Sequence, residues 1–322
     1  MKGLQILADI KPELLLVEEE LQKIVSTPDD ILSRASSRLL QAGGKRLRPA
    51  FAIIAARSYR YQREKVIPLA AALELIHMAT LIHDDVVDAS LTRRGQPTVK
   101  ALWGNQISVY TGDYLLAHSL MLIARCQNPV IAKVLADVSV KMCEGEIQQL
   151  STAFRVDQGL RDYFYRIKCK TALLISASCR LGAEAVGAPP GHCFALGKYG
   201  LYIGMAFQIT DDILDVIADQ EELGKPVGRD LRQGILTLPV LYTLRVRPGD
   251  SELRRLLQKK EKSEEEIRFL LDLIKSSSGV EYAFDVARMY VTKAKSHLTQ
   301  LPSSQAKEAF YQMADFVLER KF

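Results

Sequence analysis

The 322-residue sequence predicts an all-α fold organised as one domain, residues 1–322. Apolar residues recur at helical spacing along most of the chain, no segment alternates like a half-buried strand, and the breaks are short turns. Leu14, Val17, Leu21 and Ile24 share one face of a first helix, which Thr27-Pro28-Asp29-Asp30 ends. Residues 70–83 are apolar nearly all round and predict a helix buried on most sides. Gln127-Asn128-Pro129 opens a helix over 130–142, and further helices follow at 171–181 and, past the glycine-rich turn 187–191, at 199–217. Arg247-Pro248-Gly249-Asp250 and the turn 276–279 punctuate the last third. The charged stretch 251–266 reads as the least core-like part.

Composition narrows the function. With 48% hydrophobic and 25% charged residues the chain supports a sizeable core. A net charge of +5 suits anionic small ligands and falls short of the basic stripe that nucleic acid demands, so no nucleic-acid partner is expected. Cys126, Cys143, Cys169, Cys179 and Cys193 are odd in number and form no CxxC pair, which supports neither a disulfide framework nor a zinc site. The N-terminal apolar run is too short for a signal peptide and meets Asp9 early, and no uninterrupted apolar run of membrane-spanning length occurs. The expected location is cytoplasmic.

One acidic pattern occurs twice, as Asp84-Asp85-Val-Val-Asp88 and Asp211-Asp212-Ile-Leu-Asp215. On a helix, positions i, i+1 and i+4 fall within an arc of roughly 100° and a rise of about 6 Å, so three carboxylates crowd one small volume. Such crowding requires a cation, and Mg2+ suits it: it takes one or two carboxylates, keeps several waters and shares its other positions with phosphate oxygens. A solitary cluster of this kind also reads as a solvated helix face. Two of them, each inside a strongly apolar stretch, point instead to the wall of a cavity.

Basic elements accompany the acids. Gly43-Gly44-Lys45-Arg46-Leu47-Arg48-Pro49 combines glycines that permit close backbone approach with three cations, and Arg93-Arg94 supplies two forked donors. Lys170 with Thr171, and Gly224-Lys225, add further basic sites. Each alone is an ordinary surface turn; together with the acids they describe a site for two diphosphates, one held through metal and one directly. His77, on an apolar face, reads more readily as a satisfied core histidine than as a ligand. Glu74-Leu-Ile-His77 matches half of a di-iron site but lacks its second half, and a histidine–aspartate phosphohydrolase dyad at His83-Asp84 leaves the second acid cluster unexplained.

The series GGKRLRP, ELIHMATLIHDDVVD, RRGQPT, YTGDYL, KTA, FQITDDILD and LGKPVGRD, in that order across residues 40–240, resembles the trans-isoprenyl diphosphate synthases. Among relatives, length and motif wording most resemble the catalytic component II of two-component bacterial heptaprenyl diphosphate synthases. The resemblance implies one large helical bundle of the isoprenoid synthase type with a central cavity. It implies Mg2+ on Asp84, Asp85, Asp88, Asp211, Asp212 and Asp215, and an allylic diphosphate contacted by Arg93, Lys170, Thr171, Gln208 and Lys225. Isopentenyl diphosphate would be held by Lys45, Arg48, His77 and Arg94. The partners implied are a second copy in a homodimer or a small component I in a heterodimer, with at most peripheral membrane contact.

The same resemblance frames product length. In the family, bulky aromatics four or five residues before the first acid cluster stop short products, and here those positions hold Thr80 and Ala79, with Ile76 one turn below. At one helical turn, about 5.4 Å, per isoprene unit, an open channel along this face implies a product of about C30–C40 and a quinone side chain as its destination. Two rivals share parts of the pattern. A noncatalytic partner subunit typically lacks aspartates that this chain keeps, and a class I terpene cyclase needs no GGKRLRP segment.

Overall fold

The first helix, α1 (Lys11–Val25), buries Val17 and Leu21, on the stripe that the spacing predicts. The computed structural model describes residues 8–217 and 227–319. Asp29 starts α2 (Asp30–Gln41) by accepting the Leu32 N–H at 2.8 Å, satisfying one of the donors that every helix start leaves open. α3 (Leu47–Arg57) and α4 (Arg63–Val87) follow, and the all-round apolar run in α4 is buried from Val66 through Ile76.

A two-residue ladder, β1 (Thr92–Arg93) with β2 (Gln96–Pro97), is too short to show as alternation in the sequence. Its turn residues Arg94 and Gly95 have φ of 51° and 73°, the left-handed pair that a tight two-residue hairpin needs. Thr98 then caps α5 (Val99–Arg125) by accepting the Ala101 N–H at 3.1 Å. α5 packs closely on α4: a Cβ on Gly112 would lie 2.2 Å from Nε2 of His83, so any other residue there must push the imidazole aside. α4 and α5 are both long and apolar enough to cross a bilayer; α4 is largely buried here, and α5 exposes Val109, Tyr110, Leu120 and Met121.

The chain continues as α6 (Pro129–Thr152), α7 (Leu160–Ile167), a π-helical turn (Lys168–Ala172), α8 (Leu173–Ala185) and α9 (Pro190–Ile217). After residues 218–226, which lie outside the described set, come α10 (Arg229–Arg232), α11 (Leu238–Val246), α12 (Ser251–Gln258), α13 (Glu264–Lys275), α14 (Gly279–Leu298) and α15 (Gln305–Glu319). Two units divide these elements. The first comprises residues up to Ala136, Ala177–Gly197 and Gln300–Phe310; the second comprises Asp137–Ser176, Lys198–Thr299 and the residues from Tyr311.

The core of the second unit corrects one expectation. The charge-rich stretch 251–266 contributes Leu253, Leu256 and Leu257 to that core, beside Ile213, Leu238 and Leu270. Its charges occupy the outer faces of short amphipathic helices, so their number hides the leucine stripe. Caps start these helices: Asp250 accepts the Leu253 N–H at 2.9 Å, and Ser263 and Glu266 form a reciprocal box at the start of α13.

Candidate active site

In the first unit, α4 carries Ile76, His77, Ala79, Thr80, Asp84 and Asp85 and ends at Val87, with Asp88 as its C-cap. The acid trio therefore sits at the negative end of a helix, where the backbone dipole adds to the mutual repulsion of the carboxylates. Cations relieve both. Arg93, delivered by the hairpin, forks onto buried Asp85 with Nε at 3.0 and 3.1 Å from the two oxygens and Nη2 at 2.8 Å from Oδ1.

Arg94, next along the hairpin, sits beside the glycine-rich segment: a Cβ on Gly44 would lie 2.9 Å from Nη1 of Arg94 and 3.3 Å from Nη1 of Arg46. Lys45 and Arg48 belong to that same segment. Burial, together with Arg48, Arg94, Arg93 and Arg46, holds His77 well below the usual histidine range, so it is a neutral imidazole facing a basin of four arginines. Burial and the neighbouring Arg46 also lower Arg94, while Glu74 opposes them. Of the channel residues, Ile76 and Ala79 are buried, and Thr80 turns its hydroxyl back to the His77 carbonyl at 2.8 Å.

In the second unit the π-helical turn carries Lys170 and Thr171. A π turn inserts an extra residue into the helical ladder and re-aims the side chains on it. Lys170 pairs with Glu146 at 2.8 Å. Thr171 donates to Oε1 of Gln208 at 2.7 Å, Gln208 donates through Nε2 to Oδ1 of Asp212 at 2.9 Å, and Tyr163 donates to Oδ2 of Asp212 at 2.7 Å. Asp215 accepts the backbone N–H groups of Arg229 at 3.1 Å and Asp230 at 3.0 Å. Burial pushes Asp212 up to about 7 against the pull of Gln208 and Tyr163. Asp215 is raised by burial, and Asp230 is raised far more, by burial and by Asp215 and Asp212.

The sequence reading thus misses Tyr163, Asp230, Glu146, Arg46 and Glu74 as site-shaping residues. Asp230 closes the LGKPVGRD motif and was visible only there; Tyr163 lies seven residues before Lys170, a spacing that signals nothing until the π turn is known. Lys225 lies outside the described residues. Among the described residues, no three His, Cys, Asp or Glu side chains converge on a ready-made metal cage. Mg2+ does not require one, because one or two carboxylates and several waters suffice. The donors fit it: they are hard oxygens, Asp85 already grips a cation, and Asp215 and Asp212 each raise Asp230, a repulsion that a divalent ion would relieve.

The chain is similar to known proteins over nearly its whole length. The polyprenyl synthetase family model matches residues 29–274. The chain is 44% identical to heptaprenyl diphosphate synthase component 2 of Geobacillus stearothermophilus, over 97% of both chains. It is 43% identical to the component 2 of Bacillus subtilis (strain 168), over 97% of this chain and 89% of that one. Among solved structures, a polyprenyl synthase from Caulobacter crescentus CB15, crystallised with calcium and isoprenyl diphosphate, superposes with a TM-score of 0.94 at 34% identity, over 99% of this chain and 98% of that one. With its all-helical fold, its paired acid trios and its arginine basin, this chain belongs to the polyprenyl synthetase family and is a prenyltransferase of the trans-polyprenyl diphosphate synthase type.

Proposed function

We propose that the chain is an Mg2+-dependent elongating synthase, located in the cytoplasm, that joins isopentenyl diphosphate to an allylic diphosphate and repeats the step to about C30–C40 for a quinone side chain. The observation that carries this is the adjacency, within one unit, of a crowded acid trio and an arginine–histidine basin, suited respectively to a metal-bound and a directly bound diphosphate.

In this reading Asp84, Asp85, Asp88, Asp211, Asp212 and Asp215 hold Mg2+, which when bound neutralises the allylic diphosphate and makes it a better leaving group. Arg93, Lys170, Thr171, Gln208 and Lys225 contact the same diphosphate. Lys45, Arg48, His77 and Arg94 hold isopentenyl diphosphate, with neutral His77 donating one hydrogen bond. Breaking the allylic C–O bond leaves a carbocation, which the isopentenyl double bond attacks to form the new C–C bond. The proton then lost from C2 passes to the released diphosphate, and no side-chain nucleophile takes part. The buried apolar residues of α4, Ile76 and Ala79 among them, exclude the water that would quench the cation and leave the tail room to grow.

The whole chain serves as one catalytic domain and pairs with a second subunit. Val140, Cys143, Ile147 and Leu150 are exposed along α6 at heptad spacing, and Ile147 is 66% exposed, which fits a helix-pairing seam. The second subunit is another copy or a small component I.

Product analysis tests all of this: farnesyl diphosphate, labelled isopentenyl diphosphate and Mg2+ are given to the purified chain and products are resolved by length. A ladder ending at C30 or beyond is expected from a self-sufficient enzyme. Products stopping at C15 or C20 would overturn the open channel. Activity that appears only on adding a small partner would fix the heteromeric arrangement.

A further inference from the structure

GGKRLRP holds three cations, and the reading above uses only Lys45 and Arg48. Arg46 is turned to a different task. Its backbone is left-handed, with φ of 45° and ψ of 41°, an unfavourable setting for a long side chain that persists only where the surroundings enforce it. Those surroundings are two acids and a carbonyl. Arg46 donates to Oε1 of Glu74 on α4 at 3.0 Å, to Glu18 on α1 through both Nε and Nη2, and to the Leu40 carbonyl at 3.3 Å. The Arg46 and Glu74 side chains are 9% and 5% exposed, so the pair is shielded from water.

This triad borders the basin. The guanidinium edges of Arg46 and Arg94 flank the same glycine, Gly44, and two like charges so close repel unless a carboxylate lies near both. Glu74 meets that need, since it bonds Arg46 and favours the charged form of Arg94. Three residues further along α4, on the same side, is His77.

We infer that Arg46 and Glu74 are positioning residues for the isopentenyl diphosphate site: Arg46, clamped by Glu74 and Glu18, fixes the segment bearing Lys45 and Arg48, and Glu74 keeps Arg94 beside it. The inference rests on the assignment of that basin to isopentenyl diphosphate. Arg46 spends its guanidinium on Glu74, Glu18 and the Leu40 carbonyl, and Glu74 is an acid, so neither is assigned a contact with the diphosphate. The loss of either therefore weakens binding of one diphosphate and leaves the other unaffected, whereas a residue that only stabilises the fold would reduce the active fraction and move neither KM.

The variants are Glu74→Gln, which keeps shape and removes charge, and Arg46→Met, with Lys45→Ala as the reference. For Glu74→Gln the KM for isopentenyl diphosphate is expected to rise about tenfold and the KM for the allylic substrate to stay within about twofold, as expected for loss of one charge-assisted contact. Calorimetric titration of isopentenyl diphosphate, read without turnover, weakens in parallel. Arg46→Met combined with Glu74→Gln is no worse than Arg46→Met alone, because the two act as a unit. Should Arg46→Met not fold, Glu74→Gln alone decides. Unchanged isopentenyl KM in folded Glu74→Gln, with a raised KM in Lys45→Ala, overturns the inference and leaves the site standing. Unchanged KM in Lys45→Ala as well overturns the site assignment itself.

Discussion

The two acid trios are spelled alike and live differently. In the first unit, Asp85 is paired with a charged guanidinium, and the trio lies at a helix C-terminus beside a hairpin. In the second, Asp212 accepts from two neutral donors, Gln208 and Tyr163, and Asp215 accepts two backbone N–H groups. Crowded carboxylates are thus tolerated in two ways, by a resident counter-charge in one place and by burial that favours the protonated form in the other. In the proposed function, the first trio would exchange a guanidinium for another cation, and the second would exchange a proton for one.

The largest expected effect falls on the first trio. Asp85→Ala is expected to lower kcat/KM by about 10^3-fold or more, the scale seen when a charge-stabilising group is removed from a reacting centre. Asp212→Asn keeps one oxygen that can still face a metal ion and removes only the charge, so it is expected to cost less, about 10^2-fold. Steady-state kinetics of the two side by side breaks the comparison if they are equal. Next comes Gly112→Ala, whose Cβ would drive the His83 ring off its place beside the Val109 carbonyl and press on the end of α4. A loss of about 10^2-fold is expected, since small displacements near a reacting centre cost that much. Adding His83→Ala to the Gly112→Ala background removes the clash, and recovery of activity there identifies displacement of the helix end as the cause.

Tyr163→Phe is smaller and sharpens the view of the second trio. It keeps the ring that packs edge-on against Phe164 and removes only the hydroxyl that bonds Asp212. A hydrogen bond to a charged acceptor is worth about 1.5–3 kcal/mol, so a rise of about tenfold in the metal concentration needed for half-maximal rate is expected. A rate curve unchanged in its metal dependence would show that Gln208 alone sets Asp212.

Much of this was legible in the chain because it is periodic or repeated. Long helices announce themselves by spacing, and two identical acid patterns in apolar surroundings are hard to read as surface. What escaped depended on distance along the chain or on local irregularity. Tyr163 reaches Asp212 across 49 positions. The π turn, which decides how Lys170 and Thr171 are presented, leaves no periodic trace in five residues. Arg46 looked like one more cation in a basic run, and only Glu18 and Glu74, each 28 positions away, show that it faces inward. The leucines of α12 were hidden by the charges around them.

The smallest predicted effect tests the proton-for-metal exchange directly. Asp212 is held at about 7 in the fold, above the range of about 3.9 that it has in an unfolded chain. Without metal, the folded state therefore binds more protons than the unfolded one between these values, and stability from this group is present at low pH and lost as pH rises toward 7. Burial is the main cause, so the charged carboxylate is the form that the fold disfavours. A divalent ion reverses this, because it needs the carboxylate charged. Thermal unfolding is expected to show Mg2+ raising Tm by about 1–2 °C more at pH 8 than at pH 6, a shift of the size that about 1 kcal/mol produces in a chain of this length. Asp212→Asn removes the titrating group and should erase the difference, whereas Asp85→Asn, in the trio whose counter-charge is an arginine, should leave it in place. An equal Mg2+ shift at both pH values in the unsubstituted chain would mean that the second trio, like the first, already holds its charge before any metal arrives.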